Sequence, residues 1–193
     1  MAQYTIDQNT EVRETSSTSV IPVGINDDVK LIAVTKETAT NNSPYLQFLF
    51  RSTDGSELKH IEWDIDPERI SPKPGETQDE AVQRRTNMML VRVKHICTKF
   101  VDESKFVLNA QNFDELCEGI ITIMAAKSDT TVRLKVTYNW KDYASLPGFP
   151  PFIEEQSNGE TKLKINKQYD KMEKSGAAAE AEVAESDESD LPF

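Results

Sequence analysis

The sequence predicts an α+β protein that consists mainly of β-strands, with two inserted helices and an acidic tail. Three observations lead to this prediction. Several short segments alternate apolar and polar residues with the period of two that is typical of strands. Two segments between residues 77 and 124 repeat apolar residues at the spacing of a helix. Residues 176–193 contain six acidic residues and no basic residue, a composition too polar to form a core.

The chain has 193 residues, which is enough for one domain with its own core and flexible ends. We expect a flexible arm over residues 1–20, a folded domain over 21–169 and a disordered acidic tail over 170–193. No stretch approaches the roughly 20 consecutive apolar residues that a membrane span needs. The polar segment 1–20 does not resemble a signal peptide. These features predict a cytoplasmic protein without a membrane partner.

The first three predicted strands form an antiparallel meander. The β-branched run Val29–Val34 follows a cluster of turn residues and is the first strand. Residues 43–52 alternate apolar and polar side chains, as a half-buried strand does. Asp54-Gly55 then predicts a hairpin, and the returning strand covers residues 57–65. Trp63 shares a face with two isoleucines of that strand, so we interpret it as a core residue.

Two helices are predicted after this meander. Thr77 and Glu80 have the spacing of a capping box, in which each side chain satisfies a backbone N–H group of the other residue. Asn112 caps the second helix in a similar way. Cys97 and Cys117 lie on the apolar faces of these helices. Because free cysteines are among the most buried residues, we expect both to be buried thiols.

The remaining part of the domain returns to β-structure. Thr131–Tyr138 alternates as a strand, residues 139–155 are rich in proline and aromatic residues and predict an extended segment, and Thr161–Ile165 is the last predicted strand. Five strands with helices after the third favour a small, partly open barrel of the OB (oligonucleotide/oligosaccharide-binding) type. An open sheet with helices on one face is the alternative.

Motifs for catalysis or metal binding were not found. The sequence contains no phosphate-binding loop, zinc-protease motif or serine-nucleophile elbow. His60 and His95 are not at metal-ligand spacing from each other or from a cysteine. The acidic residues Asp64, Asp66 and Glu68 are interpreted as a solvated turn. We therefore predict a protein that is not an enzyme and has no cofactor, with a metal-dependent nuclease as the hypothesis that remains open.

Aromatic and basic residues indicate a nucleic-acid partner. Binding of single-stranded nucleic acid requires rings on which bases stack and cations along the path of the backbone. The net charge of −11 argues against such a partner, but the tail accounts for much of it, and residues 81–99 hold five basic residues and no acidic one. A structural brace at the aromatic loop and a solvated helix face are the alternatives. The candidate contacts with single-stranded DNA are Tyr45, Arg51, Lys59, Arg84, Arg85, Arg92, Lys94, Arg133, Lys135, Trp140, Lys141 and Tyr143.

The acidic run at 185–190 is followed by an aliphatic residue, a proline and a phenylalanine, which a solubilising tail does not need. Acidic side chains would meet a basic rim on a partner, and the phenylalanine would fill an apolar pocket. The proline lowers the entropy that the tip loses when it binds. The predicted protein-docking residues are Asp187, Glu188, Asp190, Leu191, Pro192 and Phe193.

These docking residues resemble the C-terminal tip of bacterial single-stranded DNA-binding proteins. The tip here differs because Ser189 interrupts the acidic run, Leu191 stands where isoleucine is usual, and the linker is short and rich in Ala and Glu. The resemblance implies that the tip recruits replication, recombination and repair proteins, and that it competes with DNA for the protein's own binding surface.

The body of the chain is more similar to phage-encoded single-stranded DNA-binding proteins, which are small OB-like domains. The segments YLQFLF, LKHIEW and LPGFPPFIEE carry this similarity. It implies a viral replication or recombination factor that acts in the host cytoplasm.

Two functions therefore remain open at the level of sequence. The first is sequence-independent binding of single-stranded DNA. The second is an acidic adaptor or DNA mimic that binds a replication or nuclease protein without contacting DNA, which the charge of −11 favours. Convergence of Arg84, Arg85, Arg133 and Lys135 on one surface would favour the first, and their separation the second. A homo-oligomer is left open.

Overall fold

The computed structural model describes residues 19–157 and 159–175. Most of the predicted arm (1–18) and the predicted docking tip lie outside the described residues. The described chain forms a mainly antiparallel six-stranded sheet with two α-helices, as the α+β prediction required. The elements are β1 (Gly24–Thr38), β2 (Pro44–Ser52), β3 (Glu57–Trp63), α1 (Gln78–Cys97), α2 (Phe113–Met124), β4 (Thr131–Tyr138), β5 (Ala144–Ser145) and β6 (Ile153–Glu155).

The sheet has the order β3-β2-β1-β4-β5, and β6 pairs with β4 beside this path. The edge strands β3 and β5 are not hydrogen-bonded to each other over the described residues, so the sheet is open between them. The two helices follow β3 and precede β4 in the chain. The opening between β3 and β5 is therefore the place where a ligand could reach both edges of the sheet.

Strand β1 is longer than predicted and is bent by a bulge. The turn residues expected before the strand lie inside it, where the register with β4 shifts between Asn26 and Val29. Asp28 has a φ of 57° there, a left-handed conformation that Asp tolerates better than most residues. Bulges increase local twist. This twist lets one half of β1 pair with β4 while the other half pairs with β2.

The predicted hairpin turn and the two predicted helix caps are confirmed. Gly55 has a φ of 86° in the β2–β3 hairpin, which Gly adopts without a steric penalty. Thr77 and Glu80 form the capping box of α1, and Asn112 caps α2 by accepting the N–H of Glu115. These caps satisfy backbone donors that a helix cannot satisfy internally.

One hydrophobic core joins the sheet to both helices. From β2 it contains Leu46, Phe48 and Phe50, the apolar face that the alternating pattern predicts. Cys97 and Cys117 are fully buried free thiols in it, as expected. Burial raises the pKa of Cys97 to about 12 and that of Cys117 to about 11, which keeps both thiols protonated.

The interpretation of Trp63 as a core residue is wrong, because β3 presents its other face to the core. Leu58, His60 and Glu62 point inward, while Trp63 is 45% exposed. The sequence pattern misled because an inward glutamate looks like a surface residue. Glu62 is only 4% exposed and is buried together with a cationic partner, Arg92.

The prediction of a last strand over Thr161–Ile165 is also wrong. Residues 161–170, called the strap below, contain no strand, and the last two strands, β5 and β6, lie instead in the segment 139–155 that the sequence predicts to be extended. The strap does not need hydrogen bonds to a neighbouring strand, because side chains form hydrogen bonds with its backbone groups. The Glu154 carboxylate accepts the N–H of Lys162 at 3.0 Å, and Leu163 is buried beneath.

Over the described ranges, neither helix combines the length and the apolar character that a membrane crossing would require.

Candidate nucleic-acid interface

The outer faces of β2 and β3 carry an aromatic pair. Tyr45 and Trp63 lie directly opposite each other in the register, with ring centroids 4.8 Å apart and planes tilted by 52°. Ile61 and Lys59 continue the same face of β3, because alternate residues of a strand share a side. Lys59 is exposed and has no carboxylate within 4 Å among the residues described. A flat ring and an unpaired cation thus share one face.

The loop between β4 and β5 presents a second aromatic pair. Trp140 is 82% exposed and Tyr143 is 67% exposed. The side-chain oxygen of Asn139 accepts the backbone N–H groups of Lys141 (2.9 Å) and Tyr143 (3.1 Å), which fixes the shape of the loop. The Lys141 ammonium lies 4.6 Å from the centre of the Trp140 ring, within cation–π range. The loop therefore holds rings and a cation in solvent.

A cavity of about 410 Å³ lies between β3 and the β4–β5 loop, and its lining includes Trp140 but neither Tyr45 nor Trp63. Ile61 lines it from β3 and Trp140 from the β4–β5 loop, while Phe149 and Tyr169 close it from the later chain. We call this cavity the aromatic cleft. Phe149 and Tyr169 are 68% and 77% exposed and were not among the predicted contacts. In the sequence, Phe149 is distinguished only by its neighbouring prolines, and Tyr169 only by its polar neighbours Lys, Asn and Gln.

A buried ion pair lines the inner part of the aromatic cleft. Arg92 donates two hydrogen bonds of 2.6 Å to the Glu62 carboxylate, which also pairs with His60 at 2.9 Å. Burial alone would raise the pKa of Glu62, but the hydrogen bonds from Arg92 and His60 outweigh it and lower the pKa. Arg92, a predicted DNA contact, is thus held inside the protein, with only 18% of its side chain exposed.

Contacts within the protein hold two of the other predicted DNA contacts away from solvent. Arg133 donates to Asp27 at 2.6 Å and to the carbonyl group of Gly159 at 3.0 Å, and 11% of its side chain is exposed. Lys135 pairs with Asp170 at 2.9 Å, and both side chains are almost fully buried. Both cations of β4 are therefore held away from solvent, and of the two only Lys135 contacts the strap.

The predicted cations at and near helix α1 differ from one another. Arg84 donates two hydrogen bonds to Glu76, and these lower the pKa of that carboxyl to about 2. Lys94 pairs with Glu103 at 2.7 Å on an exposed surface. Arg85 is exposed and has no carboxylate within 4 Å in the described ranges. It lines a cavity of about 450 Å³ together with Trp63.

The four cations whose convergence on one surface would have favoured DNA binding lie on two different elements. Arg84 and Arg85 lie on α1, whereas Arg133 and Lys135 lie on β4. Three of the four form ion pairs. At the far end of the β2–β3 face, the predicted contact Arg51 pairs with Glu57 at 2.6 Å.

The last described residues are anchored to the β4–β5 loop. Asp142 accepts hydrogen bonds from the Lys171 ammonium at 2.5 Å and from the N–H of Ser175 at 3.1 Å. The hydrogen bond from Lys171 is the main cause of the lowered pKa of Asp142. The N–H of Tyr138 donates to the Lys171 carbonyl at 2.7 Å. Ser175, the residue before the acidic segment, is therefore fixed to the loop that also carries Trp140.

Across the described ranges, no group of three or more His, Cys, Asp or Glu side chains is arranged to hold a metal ion. No protein-family model matches the chain, and no curated protein matches it either.

Proposed function

We propose that this protein binds single-stranded DNA without sequence preference. The observation that carries the proposal is the exposure of aromatic rings on the β3 face and around the aromatic cleft. Exposed aromatic clusters of this kind are unusual on a soluble surface without a partner. Bases of any identity stack on such rings, with about 1–3 kcal/mol per base. The proposed stacking residues are Tyr45, Trp63, Trp140, Tyr143, Phe149 and Tyr169.

The connectivity of the sheet supports an OB-like barrel as the scaffold. Strand β1 pairs with both β2 and β4, the helices are inserted between β3 and β4, and β4 leads into a hairpin with β5. OB folds bind oligonucleotides on the face of strands two and three and with the loops between strands one and two and strands four and five. In this protein the Tyr45–Trp63 pair and the Trp140 loop stand at two of those places.

Exposed cations near these rings are the proposed phosphate contacts. Lys59, Arg85 and Lys141 have no carboxylate within 4 Å in the part of the chain that the structure describes. Arg51 and Lys94 form exposed ion pairs, which contribute at most about 1 kcal/mol and could be exchanged for a phosphate. Arg84, Arg92, Arg133 and Lys135 are paired with carboxylates of the protein itself, so we do not propose them as phosphate contacts.

For the acidic tail we propose a docking function. Asp187, Glu188 and Asp190 would approach a basic rim, and Leu191, Pro192 and Phe193 would enter an apolar pocket of a replication, recombination or repair protein. This division of labour fits a phage replication or recombination factor in the cytoplasm of its host. The body would hold DNA, and the tail would hold the partner.

Intrinsic fluorescence tests the DNA-binding proposal directly. The chain contains two tryptophans, and both belong to the proposed interface. We expect oligo-dT to quench the fluorescence of the full-length protein at low salt, because a stacked base is an efficient quencher in contact with the indole. Added salt should reverse the quenching, since phosphate contacts weaken as counterions are restored.

Two variants separate the contributions of the two rings. Trp63→Phe reports only on Trp140, and Trp140→Phe reports only on Trp63, and each keeps an aromatic ring at the changed position. Both variants should still be quenched by oligo-dT. If neither variant nor the unmodified protein responds to oligo-dT at low salt, and gel retardation also fails, DNA binding is wrong.

An acidic adaptor or DNA mimic is the second candidate function. It is favoured by two observations. Arg84 and Arg85 lie on α1, apart from Arg133 and Lys135 on β4. Arg84, Arg92, Arg133 and Lys135 are also paired with carboxylates of the protein itself, so the surface is less basic than the sequence indicates. The same titration distinguishes the two. An adaptor would show no response to oligo-dT at any salt concentration and would bind a replication or nuclease protein in the absence of DNA.

A further inference from the structure

A second groove lies on the far side of the aromatic cleft, between the strap and the proline-rich segment. Its volume is about 570 Å³. Phe149 and Tyr169 line both this groove and the aromatic cleft, so the two cavities share a wall of exposed rings. Lys162 and Lys164 line only the new groove. We call it the strap groove.

The strap groove is fixed in shape by buried contacts. The Lys135–Asp170 ion pair lies beneath it, and Lys135 also donates to the Lys164 carbonyl at 3.1 Å. Asp170 accepts the N–H of Asn166 at 2.7 Å, which closes a turn at the end of the strap. Leu163 is 3% exposed and holds the middle of the strap against the core. A ligand would meet a preformed surface, which reduces the ordering cost of binding.

The rim of this groove is positively charged. Lys162 and Lys164 are exposed, and neither ammonium group has a carboxylate within 4 Å over the described ranges, since Glu154 contacts Lys162 through its backbone N–H. The nearest acid of the strap, Asp170, is 8% exposed and is neutralised by Lys135. The charges of the two lysines are therefore available to an anionic ligand.

We propose that the strap groove binds the continuation of the single strand that occupies the aromatic cleft. The proposal rests on the proposed function and extends it. Bases would stack on Phe149 and Tyr169 where the two cavities meet, and the following phosphates would lie along Lys162 and Lys164. Rings next to evenly spaced cations match the alternation of bases and phosphates in a single strand. The path of the DNA is then longer than the faces and loops that OB folds usually use.

Salt dependence and oligonucleotide length test this proposal together. We would measure the binding of full-length protein to a series of oligo-dT lengths, for the unmodified chain, Lys162→Ala, Lys164→Ala and the double variant. Each lost phosphate contact should lower the slope of log K against log salt by about 0.7 for a single strand. The reduction should appear with long oligonucleotides and vanish with the shortest ones that still bind. Lys105→Ala, which removes an exposed lysine outside the groove, is the matched control.

The outcomes are distinct. An unmodified protein that binds oligo-dT, with slopes that the lysine variants leave unchanged at every length, overturns the strap groove and leaves the proposed function standing. A loss that is equal at all lengths also overturns it, because the lysines would then belong to the primary site. An effect that disappears when residues 176–193 are removed would assign the groove to the acidic tail instead. If the unmodified protein binds no oligonucleotide, both the function and this inference fail.

Discussion

At the scale of single residues, His95 is a half-buried group whose pKa differs between the folded and unfolded states. Its ring meets Phe152 edge-on at 4.9 Å between centroids, and its Nε2 accepts the N–H of Phe152 at 3.4 Å. Accepting that bond requires a neutral imidazole. Burial, with a smaller effect of Lys99, lowers the pKa of His95 to about 4. As the pH falls, His95 is therefore protonated at a higher pH in the unfolded chain than in the folded protein.

The stability of the protein should therefore fall as the pH drops from about 6.5 towards 4.5. Over this range the unfolded state binds a proton at His95 and the folded state does not, so each step down in pH favours unfolding. Because the ring is partly exposed, we expect a loss of about 1–2 kcal/mol rather than the full linkage value. Urea unfolding of the unmodified protein and of His95→Gln measures it. Parallel curves for the two proteins over this range would contradict the assignment.

Individual aromatic residues show how far the sequence predicts the candidate interface. Trp140 and Tyr143 could be proposed because they stand in a loop with a lysine and next to an alternating strand. Trp63 could not, since its inward or outward direction depends on whether Glu62 can be buried. That burial depends on Arg92, which is 30 residues away in the sequence. Tyr169 carried no periodic signal at all.

At the scale of elements, the strap depends on one buried ion pair. Lys135 and Asp170 are 6% and 8% exposed. Removal of one member of such a pair leaves a buried charge without a partner, which typically costs 3–5 kcal/mol, whereas apolar replacement of both is often tolerated.

We therefore expect Asp170→Ala to lower the free energy of unfolding by about 3 kcal/mol. The double variant Lys135→Met with Asp170→Leu should recover most of that loss, because no charge is then left buried. Chemical unfolding monitored by circular dichroism measures both. Equal losses in the single and double variants would show that the strap is held by other contacts, such as those of Leu163.

Elements that are stabilised by nearby residues could be predicted from the sequence, and those stabilised by distant residues could not. The helices could be located because Thr77 and Asn112 are local signals, and each cap is satisfied within three residues. The strap could not, because its backbone groups are satisfied by side chains from other parts of the chain, such as Glu154. A segment with strand-like alternation but no partner strand remains extended without joining the sheet.

At the scale of the whole molecule, charge is distributed unevenly between the body and the tail. Six of the 33 acidic residues fall within residues 176–193, and that segment has no basic residue. Ser175, the residue before it, is bonded to Asp142 in the β4–β5 loop, which belongs to the proposed DNA-binding surface. We therefore expect the charge of this segment to repel DNA there, and salt should screen that repulsion over about 10 Å at 0.1 M.

Removal of residues 176–193 should leave the affinity for oligo-dT unchanged or increase it. Any gain should be largest at low salt and disappear at high salt, since it would come from lost repulsion. Fluorescence titration at two salt concentrations measures it. A full-length variant with neutral amides in place of the six acids should reproduce the gain, whereas Phe193→Ala should not. Weaker binding by the truncated protein would mean that the tail contributes to the DNA site.

The attachment of Ser175 to Asp142 also sets the distance over which the tail can operate. The 18 residues that follow Ser175 can span at most about 60 Å when fully extended. A protein bound to Leu191-Pro192-Phe193 would remain within that radius of the β4–β5 loop. The local concentration of that partner at the DNA would then be set by the length of the tail, on the order of millimolar. It would hardly depend on the total concentration of the partner in the cell.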